Sequence, residues 1–239
     1  MSTPSRVLTA SRTLTAVKGK ALYHDGIDDY VSIPDDPSLD ITSEITIEAL
    51  IYLREVAEFQ IIVSKFRWAN PSDNEGYAFR ITDIGKLHFR LYHDGYSDIY
   101  SPSALPLNTW QHLVGVFDGS NQYLYLNGEK IRGPESASAP LSNTENLFIG
   151  SEKGTTRFFN GTIALVRIYE RALSAAEVLY NKEHPYNPIL HGCVLWLGHD
   201  SIDEGAGIWR DKSGYNNDGV VYGATAVEMN KLAGRVLTV

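Results

Sequence analysis

Residues 77–93 read YAFRITDIGKLHFRLYH. Side chains alternate across a strand, so Tyr77, Phe79 and Ile81 share one face while Ala78, Arg80 and Thr82 take the other. After Asp83-Ile84-Gly85, residues Leu87, Phe89 and Leu91 repeat the apolar face, and His88, Arg90 and Tyr92 lie opposite. Two segments alternating in the same sense around a glycine turn predict an antiparallel pair with one face in a core. The pairing also gathers Arg80, His88, Arg90 and Tyr92 outside that core, as a first candidate surface. Aromatic faces stack on pyranose rings and Arg forks pair with carboxylates or hydroxyls, so the set suits sugars or acidic glycans. Tyr96, together with His93, Asp94 and Tyr100, extends it in a stretch that reads as a loop. The alternative is a solvated outer sheet face whose Arg and Tyr stems cover apolar surface.

Working outward, short alternating segments punctuated by Gly, Asn and Asp continue along the chain. Strands are expected at residues 45–53, 61–66, 110–117, 122–126, 146–150 and 161–169. Asn127-Gly128 is a two-residue hairpin signal, and Asp118-Gly119-Ser120-Asn121 marks the turn before it. One helix is expected, opened by Ser174 with Glu177 as a capping box and closed before Pro185. Two prolines within residues 184–188 (HPYNP) predict a linker. Beyond it come an apolar strand at 193–197 and a turn-rich stretch at 209–221. The chain ends echo one another, RVLTA at 6–10 and RVLTV at 235–239. Many short strands at this spacing predict an all-β sandwich.

The chain has 239 residues, enough for one large β domain or two small ones, and 43% of them are hydrophobic. Net charge is −8 without any Lys/Arg block, so nucleic acid is excluded as the expected partner. No run approaches the length of a membrane span. The lone Cys193 excludes an internal disulfide framework, and residues 1–17 show no secretory pattern, so synthesis in a reducing compartment is expected. Asn160-Gly161-Thr162 reads as a turn rather than a glycosylation acceptor.

Asp25, Asp28 and Asp29 place three carboxylates around one glycine. Calcium takes six to eight oxygens, so such a turn is a candidate Ca²⁺ site, with Asp118 a further ligand from another loop. Asx turns are the alternative use of the same aspartates. Asp200, Asp203 and Glu204 read as a solvated loop, and Asp35-Asp36-Pro37 as a turn. Retaining glycoside hydrolysis needs two carboxylates roughly 5 Å apart. The nearest pattern is Glu44-Ile45-Thr46-Ile47-Glu48, whose middle position is not acidic. No Gly-x-Ser-x-Gly or His-Glu-x-x-His motif occurs, and His112 reads as a structural histidine.

The segments KAL…DGIDDYV (20–31), EITIEALIY (44–52), NTWQHLV…DG (108–119), YLYLNG (123–128), FNGTIALVRIYER (159–171) and W…DKSGYNNDG (196–219) together resemble a laminin-G-like, concanavalin A-like jelly-roll domain of the microbial or viral type. The resemblance implies a two-sheet antiparallel jelly-roll sandwich with one short helix. Members often bind Ca²⁺ on the rim through Asp side chains and loop carbonyls. Two positions depart from the family: Leu50, where an aromatic is usual, and Ala164-Leu165, where an acid is usual. The last segment would normally come first. The expectation is therefore one circularly permuted domain over 1–239, in which residues 189–239, after the linker, complete the sandwich in cis or on a neighbour. The expected role is a non-catalytic recognition or assembly module with a glycan ligand. A virion surface protein, either a capsid decoration or a tail-associated adhesin, reconciles such a module with the missing export pattern. A stand-alone carbohydrate-binding module, or a fragment of a larger extracellular protein, is the alternative.

Overall fold

In the first segment, Lys20–Asp25 (β1) is followed by Tyr30–Ile33 (β2), a 3₁₀ turn at Pro37–Leu39 and Ile45–Leu53 (β3). The structure, a computed structural model, describes residues 19–56, 58–68 and 74–229. The similar end segments at 6–10 and 235–239 and the N-terminal stretch lie outside the described residues. Four strands then meander: Gln60–Trp68 (β4), Asn74–Ile81 (β5), Lys86–His93 (β6) and Gly95–Ala104 (β7). They are followed by Trp110–Phe117 (β8), Asn121–Leu126 (β9), Glu129–Ser136 (β10), Leu147–Ile149 (β11) and Asn160–Tyr169 (β12). The helix Ala175–Glu183 (α1) precedes Cys193–Asp203 (β13), Ile208–Asp211 (β14), Gly219–Tyr222 (β15) and Thr225–Glu228 (β16).

Hydrogen bonding runs β10-β9-β8-β3-β12-β13-β14-β15-β2-β11-β4-β5-β6-β7, with β1 between β12 and β16. Every pairing among the described strands is antiparallel. The ladder folds over at β13–β14, where the register shifts between Leu197 and Ile202. One layer thus holds β10 to β13 and the other β14 to β7, the expected jelly-roll sandwich. Ile45, Ile47, Ala49, Ile51 and Leu53 point inward from β3 and meet Tyr77, Phe79, Ile81, Leu87, Phe89 and Leu91 from β5 and β6 in one buried cluster. The layers close tightly at Gly115 on β8, where an added Cβ would stand 2.9 Å from the Phe89 ring.

Local signals act as the residues dictate. Asn127 and Gly128 both take positive φ, 52° and 86°, the geometry a two-residue hairpin turn requires. Ser174 and Glu177 form the reciprocal capping box. The segment after residue 189 pairs within its own chain: Trp196 faces Arg167 of β12, Tyr222 faces Tyr30 of β2, and Glu228 faces Lys20 of β1. Trp209 is fully buried in the main core and donates from Nε1 to the Gly198 carbonyl at 2.8 Å.

Three local expectations fail. Asn160-Gly161-Thr162, read as a turn, opens β12 instead, where these residues pair with β1 on one side and β3 on the other. The stretch carrying His93, Asp94, Tyr96 and Tyr100, read as a loop, is the end of β6, a one-residue bend at Asp94 and the ten-residue β7 at the end of the sheet order. Asp200 and Asp203 belong to β13 and pair with Lys212 at 2.7 Å and Arg210 at 3.0 Å, rather than lying in a loop. Among the described residues, no helix is long and apolar enough to cross a membrane.

Candidate functional site

The outer face of β5–β7 is set by register. Arg80 stands opposite His88, His88 opposite Tyr100, Arg90 opposite Asp98 and Tyr92 opposite Tyr96. Alternation on β7 therefore adds Tyr96, Asp98 and Tyr100 to the Arg80, His88, Arg90 and Tyr92 face. Arg80 donates from Nε to His88 Nδ1 at 3.0 Å. That ring nitrogen is thus the acceptor, so the proton sits on Nε2 and is donated to Asp98 Oδ1 at 2.7 Å. Arg90 grips the same carboxylate with a fork, Nε to Oδ1 at 2.5 Å and Nη2 to Oδ2 at 2.6 Å. Tyr100 donates its hydroxyl to Asp98 Oδ2 at 3.1 Å. Asp98 organises the face, and the sequence reading missed it. The Tyr96-x-Asp98-x-Tyr100 alternation was the available signal.

The expectation that Arg80, His88 and Tyr92 lie open to solvent is corrected by their burial. Arg80 is 4% exposed, His88 fully buried and Tyr92 1% exposed. Phe59 lies 5.0 Å beneath the Arg80 guanidinium, and Phe66 stacks on Tyr92 with ring centres 4.8 Å apart. Tyr100 stacks on His88 at 4.1 Å and 20°, and the Arg90 guanidinium sits 4.0 Å from the Tyr96 ring centre. Two of the sequence-derived residues remain available at the surface: Tyr96, 56% exposed, and the rim of Arg90. Tyr100, 39% exposed, joins them. Each of these tyrosines is covered on one side by a cationic or imidazole group and carries its exposure on the rest of the ring.

Burial pushes the His88 imidazole down to about 4, against the pull of Asp98 and with help from the Arg80 and Arg90 charges. Burial acts to raise the Asp98 carboxyl, yet the Arg90 and His88 hydrogen bonds hold it well below the usual carboxylate range. Past Tyr100, an open groove of about 460 Å³ runs between β7 and β10, lined by Lys86, Tyr100, Pro102, Arg132 and Glu135 among others.

The aspartate turn lies between β1 and β2. One carboxylate oxygen each from Asp25, Asp28 and Asp29 fall within 4.8 Å of one another. Asp25 Oδ1 accepts from the Ile27 amide at 2.8 Å, an Asx turn, and Asp29 Oδ2 accepts from the Asp25 amide at 2.9 Å. Burial raises the Asp29 pKa, and the neighbouring Asp25 and Asp28 charges add to it. Asp118 is not part of this group. Its carboxylate accepts from the Ser120 and Asn121 amides and the Tyr123 hydroxyl, closing the β8–β9 turn. That turn follows Phe117, which pairs with Ile45 at one end of β3, while Asp25 pairs with Asn160 beside Leu53 at the other. The two lie about 26 Å apart along the strand.

A third polar group is sealed under α1. Glu48 is fully buried and accepts from Arg167 Nη1 at 2.9 Å, His112 Nε2 at 2.6 Å and Asn181 Nδ2 at 3.0 Å. Burial acts to raise its pKa, but Arg167 and His112 outweigh that and hold it at about 2. Arg167 also donates to the Pro185 carbonyl, tying the linker to the sheet. Glu44, by contrast, is exposed and accepts from the Ala172 amide at 3.0 Å.

Residues 25–179 match a family model described as the concanavalin A-like lectin/glucanases superfamily. No curated protein matches the sequence significantly. Among solved structures, a Bacteroides ovatus ATCC 8483 protein with a proposed carbohydrate-binding role superposes with a TM-score of 0.67 at 21% identity, over 89% of this chain and 60% of its own. The CBM40 module of a Ruminococcus gnavus IT-sialidase, bound to α2,3-sialyllactose, gives 0.53 at 17% identity, over 67% of this chain and 96% of the module. The unliganded module gives 0.54 at 16% identity, over 70% and 98%. The chain thus spans three-fifths of the Bacteroides protein and nearly all of the sialidase module.

Proposed function

The chain belongs to the concanavalin A-like lectin/glucanases superfamily, and on that premise we propose that it is a non-catalytic carbohydrate-recognition module whose ligand lies on the Tyr96–Tyr100 face. The observation that carries this reading is the pair of exposed tyrosines held by their neighbours, Tyr100 stacked on His88 and Tyr96 under the Arg90 guanidinium. Aromatic faces held in place this way lose little side-chain freedom when a sugar stacks on them. The carbohydrate-binding roles stated for the similarly folded Bacteroides and Ruminococcus proteins support the same class of ligand. A non-catalytic role is supported by Glu48, the acid of the nearest hydrolase-like pattern. It is buried, ionised and fully engaged, so it cannot protonate a leaving group. The test is a glycan array with wild type and Tyr96→Ala. Retention of all glycan signals by the variant would remove this face from the reading.

Calcium at the aspartate turn is a second part of the proposal. Three hard oxygens in mutual reach match half of a Ca²⁺ shell, and among the described residues none of the three aspartates forms an ion pair. Asp25, Asp28 and Asp29 would hold the ion, which would relieve their mutual repulsion and brace the β1–β2 turn. Adding calcium to chelator-treated protein is expected to raise Tm by mass action. An unchanged Tm at millimolar calcium means the aspartates serve the turn alone.

The finer setting we propose is the surface of a virion, where such a module would decorate a capsid or tail. A sandwich whose lone cysteine is buried, with its thiol pushed up to about 12 by burial, is suited to assembly in a reducing compartment. Mass measurement in solution tests it: a closed oligomer supports the reading, and a monomer favours a stand-alone binding module.

A further inference from the structure

Resting on the carbohydrate reading above, we infer that the ligand is an uncharged oligosaccharide running along β7, and that this face discriminates against acidic glycans. Tyr96 and Tyr100 occupy the same face of one strand four residues apart, so their backbone positions are about 13 Å apart. One pyranose covers one ring face. Both faces are filled only by a chain of several sugars.

The charge pattern between the rings decides the sign of the ligand. Asp98 stands midway, and all four of its lone-pair positions are taken by His88, Arg90 and Tyr100. An acidic sugar is held most strongly by an open guanidinium fork. The Arg90 fork is spent on Asp98 and its plane on Tyr96. Arg80 is buried against His88, and Arg157 is paired with Glu152. At the groove end, Arg132 is paired with Glu135. Lys86 also lines that groove, but it stands opposite Ala104, beyond Tyr100 rather than between the two tyrosines. A carboxylated sugar laid across the platform would approach Asp98 with no fork to receive it. The chain's net charge of −8 adds repulsion at a distance. Recognition is therefore carried by stacking, with little dependence on salt.

The experiment is calorimetric titration of the whole chain at low and high salt. The probes are cello-, malto-, xylo- and mannohexaose, the corresponding monosaccharides, α2,3-sialyllactose and an oligogalacturonate. At least one neutral hexaose is expected to bind, about ten-fold or more tighter than its monosaccharide, with an affinity unchanged by salt. Tyr96→Ala and Tyr100→Ala should each weaken it by about ten-fold. Because Tyr100 packs on His88, Tyr100→Phe serves as the folded control and should retain binding. Preference for sialyllactose or oligogalacturonate, fading with salt, overturns the neutral assignment and leaves the carbohydrate reading standing. Monosaccharide affinity equal to that of the hexaose overturns the extended site. Hexaose binding untouched by both alanine variants overturns the β7 location. Silence from every glycan overturns the inference together with the reading beneath it.

Discussion

Asp98 accepts hydrogen bonds from His88, Arg90 and Tyr100 at once, so its removal strands a buried imidazole and a largely buried guanidinium. Breaking a buried pair from one side leaves an uncompensated charge, which costs more than the intact pair contributes. Asp98→Ala is expected to lower stability by about 3 kcal/mol, read as a drop in urea midpoint. His88 adds a pH dependence. It faces Arg80, Arg90, Asp98 and Tyr100, and its pKa is about 4 in the fold against 6.5 as the ordinary value. Between those values the unfolded chain binds a proton that the fold does not. The stability is thus fully present above about pH 6.5 and is lost as pH falls toward 4. Replacing His88 with Gln should remove up to about 1.4 kcal/mol per pH unit from the slope of stability within that window. A slope identical to wild type would mean that His88 titrates normally. Alternation made it legible that Arg80, His88, Arg90 and Tyr92 share a face. Their burial was not legible, because Phe59, Phe66, Tyr96 and Tyr100 reach them only through the pairing of β4 to β7.

Among the elements, β6 and α1 were readable and β7 was not, for one physical reason. The sequence of β6 pairs strict alternation with large apolar residues, and α1 carries its own start signal. By contrast, β7 contains Gly95, Ser97, Asp98, Ser101, Pro102 and Ser103, residues that locally favour turns. Its strand state comes from pairing with β6, which outweighs local preference. A proline is tolerated there because β7 ends the sheet order and one side of its backbone needs no ladder partner. For α1 the local signal can be tested directly. Ser174 Oγ accepts from the Glu177 amide at 3.3 Å, and Glu177 accepts from the Ser174 amide at 2.9 Å. Ser174→Ala is expected to cost about 1 kcal/mol in chemical denaturation. The loss should appear without any change in glycan binding, since α1 lies over Glu48 on the opposite layer.

For the whole molecule, the resemblance implies a transposed segment order, and the backbone offers a reason why such an order would be tolerable. β16 runs antiparallel to β1 with Glu228 opposite Lys20, and the Met229 amide donates to the Gly19 carbonyl at 3.1 Å. Residues 229 and 19 are therefore neighbours in a ladder, the position a hairpin turn would occupy. We infer that residues 189–229 are an integral part of one sandwich and that the usual order can be restored by joining 229 to 19. A rearranged chain running 189–229, a two- or three-residue Gly/Asn turn, then 19–188, keeps every strand pairing among the described residues and opens the backbone in the linker. The linker is anchored by Arg167 on the Pro185 carbonyl and by the Ile189 amide on Asn181 Oδ1. The rearranged protein is expected to unfold in one cooperative transition, within about 1–2 kcal/mol of the original, because the cut falls outside the strands and leaves the linker's contacts, Tyr186 on His199 among them, on one side of the break or the other. Deleting 189–239 instead would remove Trp209 and the apolar residues of β13 from the core and bare the backbone of β12 and β2. That chain should aggregate or lose its cooperative transition. A truncated chain that stays monomeric and melts like the full one would make the tail an appendage, and failure of the rearranged chain to fold would place the tail's proper partner on another copy.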